Sequence, residues 1–466
     1  MNYTAWTLFS DVGLMAILLI IGQMIRSKVK IFQKFLIPPS LIAGFLGLAF
    51  GPNGFGVIPF SSSIGTYASI LIVVIFAAMP IGDSPTKEQL SGPAIGGMFL
   101  NVTGIAVLQY GVGMFLAIYV LGKFYNLNPG FGLMLATGFY GGHGTAAAVG
   151  SAYEKLGWAE ATGLGMTSAT VGIVGGIISG VVLINWATRK GYTHYVGSPK
   201  DLPEELKTGL IRPDKQKSGG KITISSICLD PMSFHLGIVL VASVAGYYAA
   251  EFIAKLIPSL AIPAFCISLL FGFILQFILK KTKTDKYIDR YTISRISGTA
   301  TDFLIISGVA SVKISLVIQY FVPLIVTFAV GFIINILWLI FIGGKSSTED
   351  WLERNMMVYG HATGVVATGI LLQRIVDPDL KSRGMEDSGI SDIINRPLIV
   401  ALQVLPPVLI SQGGMWPHVV TWACLGIVII MIAIAYKFKW WNPRLPLKVY
   451  NITASKEYNL EKNKVV

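Results

Sequence analysis

Long apolar runs separated by short polar segments make up most of this sequence. In the first half they cover residues 7–25, 35–51, 67–81, 97–121, 131–153 and 162–186, and in the second half residues 234–257, 262–279, 300–312, 316–342, 355–372 and 393–411. One further run covers residues 417–436. A helix needs about 20 apolar residues to cross a bilayer, and these runs lack the alternation of a transmembrane β-barrel. The pattern therefore predicts an all-α polytopic membrane protein.

Two of the runs are interrupted by glycine-rich polar sequences. Tyr-Gly-Gly-His-Gly-Thr-Ala-Ala-Ala begins at Tyr140, and Tyr-Gly-His-Ala-Thr-Gly begins at Tyr359. Glycine lets the backbone leave the helix, and backbone that is not helical at membrane depth requires protein or a water-filled cavity around it. The two breaks therefore predict a polar cavity inside the bilayer.

Each half of the chain contains five predicted crossings and one broken run, so the second half has to be inverted relative to the first. The sequence Ile37-Pro38 before Gly44 also resembles Ile262-Pro263 before Gly272. We therefore predict two inverted repeats of five transmembrane helices, each with a broken or re-entrant helix, plus one extra C-terminal helix. The predicted boundaries are 1–187 and 232–412 for the repeats, 188–231 for a cytoplasmic linker, and 413–466 for the extra helix and a basic tail.

Composition and charge agree with a membrane protein. The chain is 53% hydrophobic and 13% charged, whereas soluble domains carry about 25% charged residues. Its net charge of +12 comes from Lys and Arg in the loops, which indicates positive-inside topology and argues against nucleic acid as a partner. The same rule places the N-terminus outside and the C-terminus in the cytoplasm. No basic residue precedes the first apolar run, so we interpret it as a retained helix rather than a signal peptide.

Paired, interrupted helices are typical of secondary transporters, which bind substrate and ions near the middle of the bilayer. The N–H groups of a helix that restarts after a break favour an anion. Freed carbonyl groups, together with the hydroxyls of Thr145, Thr363 and Thr368, suit Na⁺. His143 and His361 are candidates either for substrate contact or for a structural hydrogen bond to the loop.

Three charged residues are further candidates. Asp83 and Lys313 follow the third helix of each half, where they are either interfacial anchors or ligands, Asp83 for a cation and Lys313 for a substrate carboxylate. Asp302 lies within an apolar run and is expected to face a cavity or a partner, with Na⁺ as one possibility. Gly172, Gly176 and Gly180 recur at helical spacing, which predicts close helix packing rather than binding.

The break at 141–147, the Gly360-His361 pair, the Ile-Pro turns and Lys313 resemble the bacterial sodium/glutamate symporter family over most of residues 7–411. The resemblance implies sodium-coupled import of L-glutamate across the bacterial inner membrane by a dimeric, elevator-like transporter, with Na⁺ as coupling ion and no other cofactor. It implies a site at matching positions, which are Gly141, Gly142, His143, Gly144, Thr145, Gly360 and His361.

Other functions remain open at this point. A cation/proton antiporter or a channel would be expected to bury a chain of acidic residues. A symporter of another small organic anion is a further alternative. An intramembrane enzyme with a histidine base is disfavoured, because the sequence contains neither a Gly-x-Ser-x-Gly nor a His-Glu-x-x-His motif.

Overall fold

The computed structural model describes residues 4–34, 37–82, 93–195, 204–216, 218–256, 264–346, 350–377 and 381–450, and the regular elements of this part of the chain are helices. The first half contains α1 (Ala5–Lys28), α2 (Lys30–Lys34), α3 (Pro39–Phe50), α4 (Thr66–Ala78), α5 (Pro93–Phe115), α6 (Leu133–Gly138), α7 (Gly142–Lys155) and α8 (Ala161–Arg189). The short helix α9 (Glu204–Thr208) lies in the linker.

The second half also contains long helices and one broken helix. It contains α10 (Pro231–Leu256), α11 (Ala264–Lys281), α12 (Arg290–Ala310), α13 (Ile314–Gln319), α14 (Phe321–Trp338), α15 (Gly344–Ser346), α16 (Trp351–Thr363), α17 (Val366–Val376), α18 (Gly384–Ser411) and α19 (Trp416–Lys437). A π-helical turn follows α5 at Leu116–Val120 and α14 at Leu339–Gly343, which adds to the likeness of the two halves.

Seven helices in the described ranges are long and apolar enough to cross a membrane, and α3 and α4 are shorter apolar helices. The predicted extra C-terminal span at 417–436 is such a helix, α19. Two predicted starts are wrong. Helix α12 begins at Arg290 rather than at residue 300, and α18 begins at Gly384 rather than at residue 393. The predicted starts were taken from the apolar length of each run, and the first turns of these two helices are polar.

Asp289 explains the early start of α12. Its carboxylate accepts hydrogen bonds from the backbone N–H of Thr292 at 3.0 Å and of Lys221 at 3.1 Å, and from the Thr292 hydroxyl at 2.7 Å. This is an N-cap that also ties the linker to the helix. Burial alone would raise the pKa of Asp289, but these hydrogen bonds and the nearby His235 outweigh burial and hold the pKa below its ordinary value.

The two halves pack against each other through equivalent helices. Helix α3 packs on α12, where a Cβ atom added to Gly44 would lie 2.8 Å from Val309 Cβ. Helix α11 packs on α4, where a Cβ atom added to Gly272 would lie 2.7 Å from Pro80 Cγ. The glycine that follows each predicted Ile-Pro turn therefore meets the third helix of the other half. Ile262 and Pro263 themselves lie outside the described residues.

The helices form two groups. We call α1, α3, α4, α10, α11 and α12 the panel, and α5–α8, α14 and α16–α19 the core bundle. Their interface is apolar: Ile72 of the panel packs against Ala146 and Ala147 of α7, and Leu41 of the panel packs with Ile173 of α8. The broken helices belong to the core bundle, and α7 contacts α4 and α12 of the panel along this interface.

Two contacts join helix ends that are predicted to lie on the same side of the membrane. The side chain of Gln23 near the end of α1 donates to the Thr208 carbonyl of the linker at 3.2 Å. At the other ends of the helices, Asn53 after α3 donates to the Ala310 carbonyl of α12 at 3.3 Å. This grouping agrees with the predicted order of crossings.

Candidate functional site

The first break is the tip of a helical hairpin. The backbone turns at residues 139–141 between α6 and α7. A Cβ atom added to Gly130, just before α6, would lie 2.6 Å from Cζ of Tyr153 near the end of α7. Because the start of α6 touches the end of α7, the two helices run antiparallel as the arms of a hairpin. The break lies at the other end, where the hairpin turns.

The second break is also a hairpin tip. Helix α16 ends at Thr363, and Gly364 and Val365 are in non-helical conformations before α17 begins. The Val365 carbonyl accepts from the N–H of Thr368 at 2.8 Å. A Cβ atom added to Gly360 would lie 2.7 Å from the Gly369 Cα atom, so the arms are packed backbone to backbone.

The two tips meet each other. Gly142 has a φ of +60°, and a Cβ atom there would lie 2.5 Å from Val365 Cγ1 and 3.2 Å from the Gly364 carbonyl oxygen. The Tyr140 ring stacks on the His361 ring with centroids 4.7 Å apart. Glycine at position 142 is therefore required twice, by the left-handed backbone and by the close approach of the opposite tip.

The two histidines do not occupy equivalent positions, which corrects the alignment of the two breaks by sequence. His143 follows its break, in the first turn of α7, whereas His361 precedes its break, in the last turn of α16. The sequences look alike because both tips need glycine beside a polar residue. The conformations differ, since the first tip uses the positive φ of Gly142 and the second uses an irregular Gly364 followed by an extended Val365.

His143 is almost completely buried, at 2% exposure. Its Nε2 lies 3.0 Å from the Thr170 hydroxyl of α8, and its Nδ1 has no hydrogen-bond partner among the described residues. The Nε2 atom thus ties the first turn of α7 to α8.

Helix α18 brings a polar cluster to the stacked rings of Tyr140 and His361. Asp392 Oδ2 lies 3.8 Å from His361 Nδ1, and the Asn395 side chain lies close to the Tyr140 hydroxyl. Arg396 lies within electrostatic range of the same tyrosine. Sequence reasoning missed these residues because they fall at the polar start of a run read only for its apolar length. Their spacing was a usable signal, since positions three and four residues apart share a helix face.

The three candidate threonines are all buried near the tips. Thr145 accepts a hydrogen bond from Gln403 of α18 at 3.4 Å. Thr363 donates to the Tyr359 carbonyl at 2.9 Å. A Cβ atom added to Gly364 would lie 2.9 Å from the Thr368 hydroxyl oxygen, so this hydroxyl covers the second break.

Not every carbonyl freed by a break is available to an ion. The carbonyl of Ala362, in the last turn of α16, accepts from Gln109 Nε2 of α5 at 2.6 Å. The same Nε2 donates to Asn335 of α14 at 3.1 Å, so the last turn of α16 is bound to the rest of the core bundle. In contrast, the Gly364 carbonyl oxygen faces Gly142 across the tips.

Of the three charged candidates, Lys313 lies away from the tips. Lys313 is exposed at the start of α13 and acts electrostatically on Glu154, about 18 Å along α7 from Gly142. Asp302 lies on α12 of the panel, close to Ser40 of α3. Asp83 lies outside the described residues. The structure therefore does not bring Lys313 together with the breaks.

The glycines of the first motif have separate surroundings. A Cβ atom added to Gly141 would overlap Thr145, and one added to Gly144 would lie 2.9 Å from Ile72 Cδ1 of the panel. The predicted packing role of the α8 glycines is confirmed. Gly172 and Gly176 face Thr363, and Gly180 faces the Leu372 side chain.

In a comparison with known families, the family model described as sodium/glutamate symporter matches residues 7–369. The matched region contains both hairpin tips and the panel helices apart from the first two residues of α1. No curated protein matches the chain.

Proposed function

The chain belongs to the sodium/glutamate symporter family, and we propose that it imports L-glutamate with Na⁺ through the site where its two hairpin tips meet. The contact of Gly142 with Val365 carries this proposal, because it joins two helix breaks and a buried polar cluster at one place. Breaks in corresponding helices are where secondary transporters bind substrate and coupling ion.

The polar cluster suits an amino-acid substrate with two carboxylates. We assign the guanidinium of Arg396 to a substrate carboxylate, since guanidinium binds carboxylate in a bidentate manner. The N–H groups at the start of α7 favour a second negative charge. Asp392, beside His361, supplies the negative charge for the substrate ammonium.

Oxygen atoms around the second tip suit Na⁺. We assign the Gly364 carbonyl and the Thr368 hydroxyl as ligands, because the carbonyl oxygen lies next to Gly142 and the hydroxyl lies next to Gly364. The Thr363 hydroxyl and Thr145 complete the candidate set, and each retains lone pairs after the hydrogen bonds described above. Hard oxygen ligands from unwound backbone are the usual surroundings of a transported Na⁺.

The division into panel and core bundle supports an elevator-like cycle. In this proposal the two hairpins, one from each inverted repeat, move together with the core bundle against the panel. Most of their interface consists of small and branched apolar side chains such as Ala146, Ala147 and Ile72, whose contacts are not directional. A homodimer, a bacterial inner-membrane location, an external N-terminus and a cytoplasmic C-terminus complete the proposal. They rest on the family and on the distribution of basic residues.

Uptake into proteoliposomes tests the function. We expect glutamate uptake with an inward Na⁺ gradient and almost none when K⁺ replaces Na⁺. Equal rates under both conditions would refute Na⁺ coupling. A matched pair of variants then locates the carboxylate site: Arg396→Gln should raise the glutamate concentration needed for half-maximal uptake, and Lys313→Gln should not. The reverse result would favour Lys313, the residue indicated by the sequence.

A further inference from the structure

A cavity of about 370 Å³ lies between α7 of the first hairpin and helices α4, α10 and α11 of the panel. Val73, Ala148, Leu240, Val244 and Phe265 are among its lining residues. It lies at the interface of panel and core bundle and is separate from the hairpin tips. Its volume is well above the roughly 150 Å³ of an engineered apolar cavity that binds benzene.

The interior of this cavity offers hydrocarbon contacts rather than hydrogen bonds. The hydroxyls of Ser69 and Ser151 bond each other at 2.6 Å, and Ser151 also lies 2.6 Å from the Ala147 carbonyl. Ser243 donates to the Val239 carbonyl at 2.8 Å. Because the serines have partners within the protein, the occupant that this interior favours is an apolar chain.

The mouth of the cavity opens toward the side of the bundle that faces lipid. Three of its lining residues are large, apolar and strongly exposed: Ile70 at 61%, Val244 at 50% and Tyr247 at 46%. In a membrane protein such side chains contact acyl chains, so an occupant can enter from the bilayer.

Both charges of a zwitterion find a counterpart at this mouth. Lys155 at the end of α7 and Glu251 on α10 both line the cavity, and their Nζ and Oε1 atoms are 4.0 Å apart. Their side chains are 70% and 45% exposed, so each retains capacity for another partner. A phosphate beside Lys155 and an ammonium beside Glu251 would complement both.

We propose that this cavity binds a bilayer phospholipid with a zwitterionic, amine-bearing head group: one acyl chain lies in the cavity, the phosphate contacts Lys155, and the ammonium contacts Glu251. The acyl chain then occupies the interface between a hairpin arm and the panel. A ligand favours the conformation that shapes its site, so the bound lipid stabilises this arrangement of core bundle and panel.

Photolabelling of the full-length protein tests the cavity. The probe is phosphatidylethanolamine with a diazirine in one acyl chain, incorporated into proteoliposomes, and labelled peptides are identified by mass spectrometry. Val244→Trp fills the cavity from a half-exposed position. Val241→Trp is the matched control, because Val241 is 63% exposed on the same helix and does not line the cavity.

We expect labelling of the α7 and α10 peptides to fall about tenfold in Val244→Trp, because the chain loses its apolar contacts there, and to stay unchanged in Val241→Trp. Equal labelling of the wild type and Val244→Trp would overturn the site. The readout does not depend on uptake, so it succeeds or fails independently of the symport proposal.

A second probe, phosphatidylglycerol with the same diazirine chain, tests the head group. The wild type should label more strongly with phosphatidylethanolamine, and Glu251→Gln should abolish that preference, because the ammonium loses its partner. Equal labelling of the wild type by both probes would overturn the head-group assignment. So would a preference that persists in Glu251→Gln.

Discussion

Replacing Gly142 with alanine is the sharpest perturbation of the contact between the two hairpin tips. The new Cβ atom meets two separate obstacles. The alanine has to adopt the φ of +60° of Gly142, and its Cβ atom lies 2.5 Å from Val365 Cγ1. Both obstacles are absent for glycine, so the substitution adds a single methyl group at the contact between the tips.

The two costs have different magnitudes. A left-handed conformation costs a non-glycine residue roughly 1–2 kcal/mol. Inserting a methyl group into a packed contact typically costs about 1–3 kcal/mol, because the tips have to separate. Gly142→Ala should therefore destabilise the protein by about 2–5 kcal/mol if the two costs add.

Other glycines of this chain separate the two costs. Gly413 has a φ of +68° and no atom within 4 Å of an added Cβ, so Gly413→Ala carries only the conformational cost. Gly426 lies in α19 with equally open surroundings and no positive φ, so Gly426→Ala carries neither. In a Val365→Ala background the Cγ1 atom is gone, so the closest remaining atom is the Gly364 carbonyl oxygen at 3.2 Å, which relieves most of the overlap.

Thermal unfolding in detergent and Na⁺-driven glutamate uptake are the two assays. The melting temperature should fall most for Gly142→Ala, less for Gly413→Ala and not at all for Gly426→Ala. Uptake should fall only for Gly142→Ala, by about tenfold for each 1.4 kcal/mol of lost tip contact, and Val365→Ala should restore part of it. If Gly142→Ala and Gly413→Ala lower the melting temperature equally and both leave uptake intact, the tips do not meet as described.

Three further predictions concern substrate, ion and pH. Arg396→Lys keeps the charge but loses the bidentate geometry, so the glutamate concentration for half-maximal uptake should rise about tenfold while Na⁺ activation stays unchanged; an unaltered glutamate curve would contradict the assignment. Thr145→Val and Thr363→Val remove one oxygen each, so the Na⁺ concentration for half-maximal activation should rise at saturating glutamate; two unmoved curves in folded protein would leave Na⁺ to backbone carbonyls. The lowered pKa of Asp289 means that its cap stabilises the fold above the ordinary carboxyl pKa and that this contribution is lost as pH falls through the lowered value. Asp289→Asn should therefore reduce the melting temperature at neutral pH and weaken the fall of the melting temperature with acid. If the melting temperatures of the variant and the wild type fall in parallel with pH, this carboxylate does not cause the acid dependence.

Sequence patterns alone determined the class of the protein. Continuous apolar runs require a bilayer, and glycine-rich breaks at Tyr140 and Tyr359 mark the places where backbone leaves the helix, because both properties depend on local composition. The packing role of Gly172 and Gly176 could also be read from spacing, since residues four apart share one helix face.

The tertiary structure decided which residues surround the breaks. Asp392 and Arg396 lie on α18, distant in sequence from the first tip, and become neighbours of Tyr140 only when the hairpins dock against that helix. Lys313 was a reasonable carboxylate ligand by sequence, yet the length of α7 separates it from Gly142. The offset between His143 and His361 likewise depends on backbone conformation at each tip, which similar glycine motifs do not specify, because glycine permits several conformations and the opposing hairpin selects one.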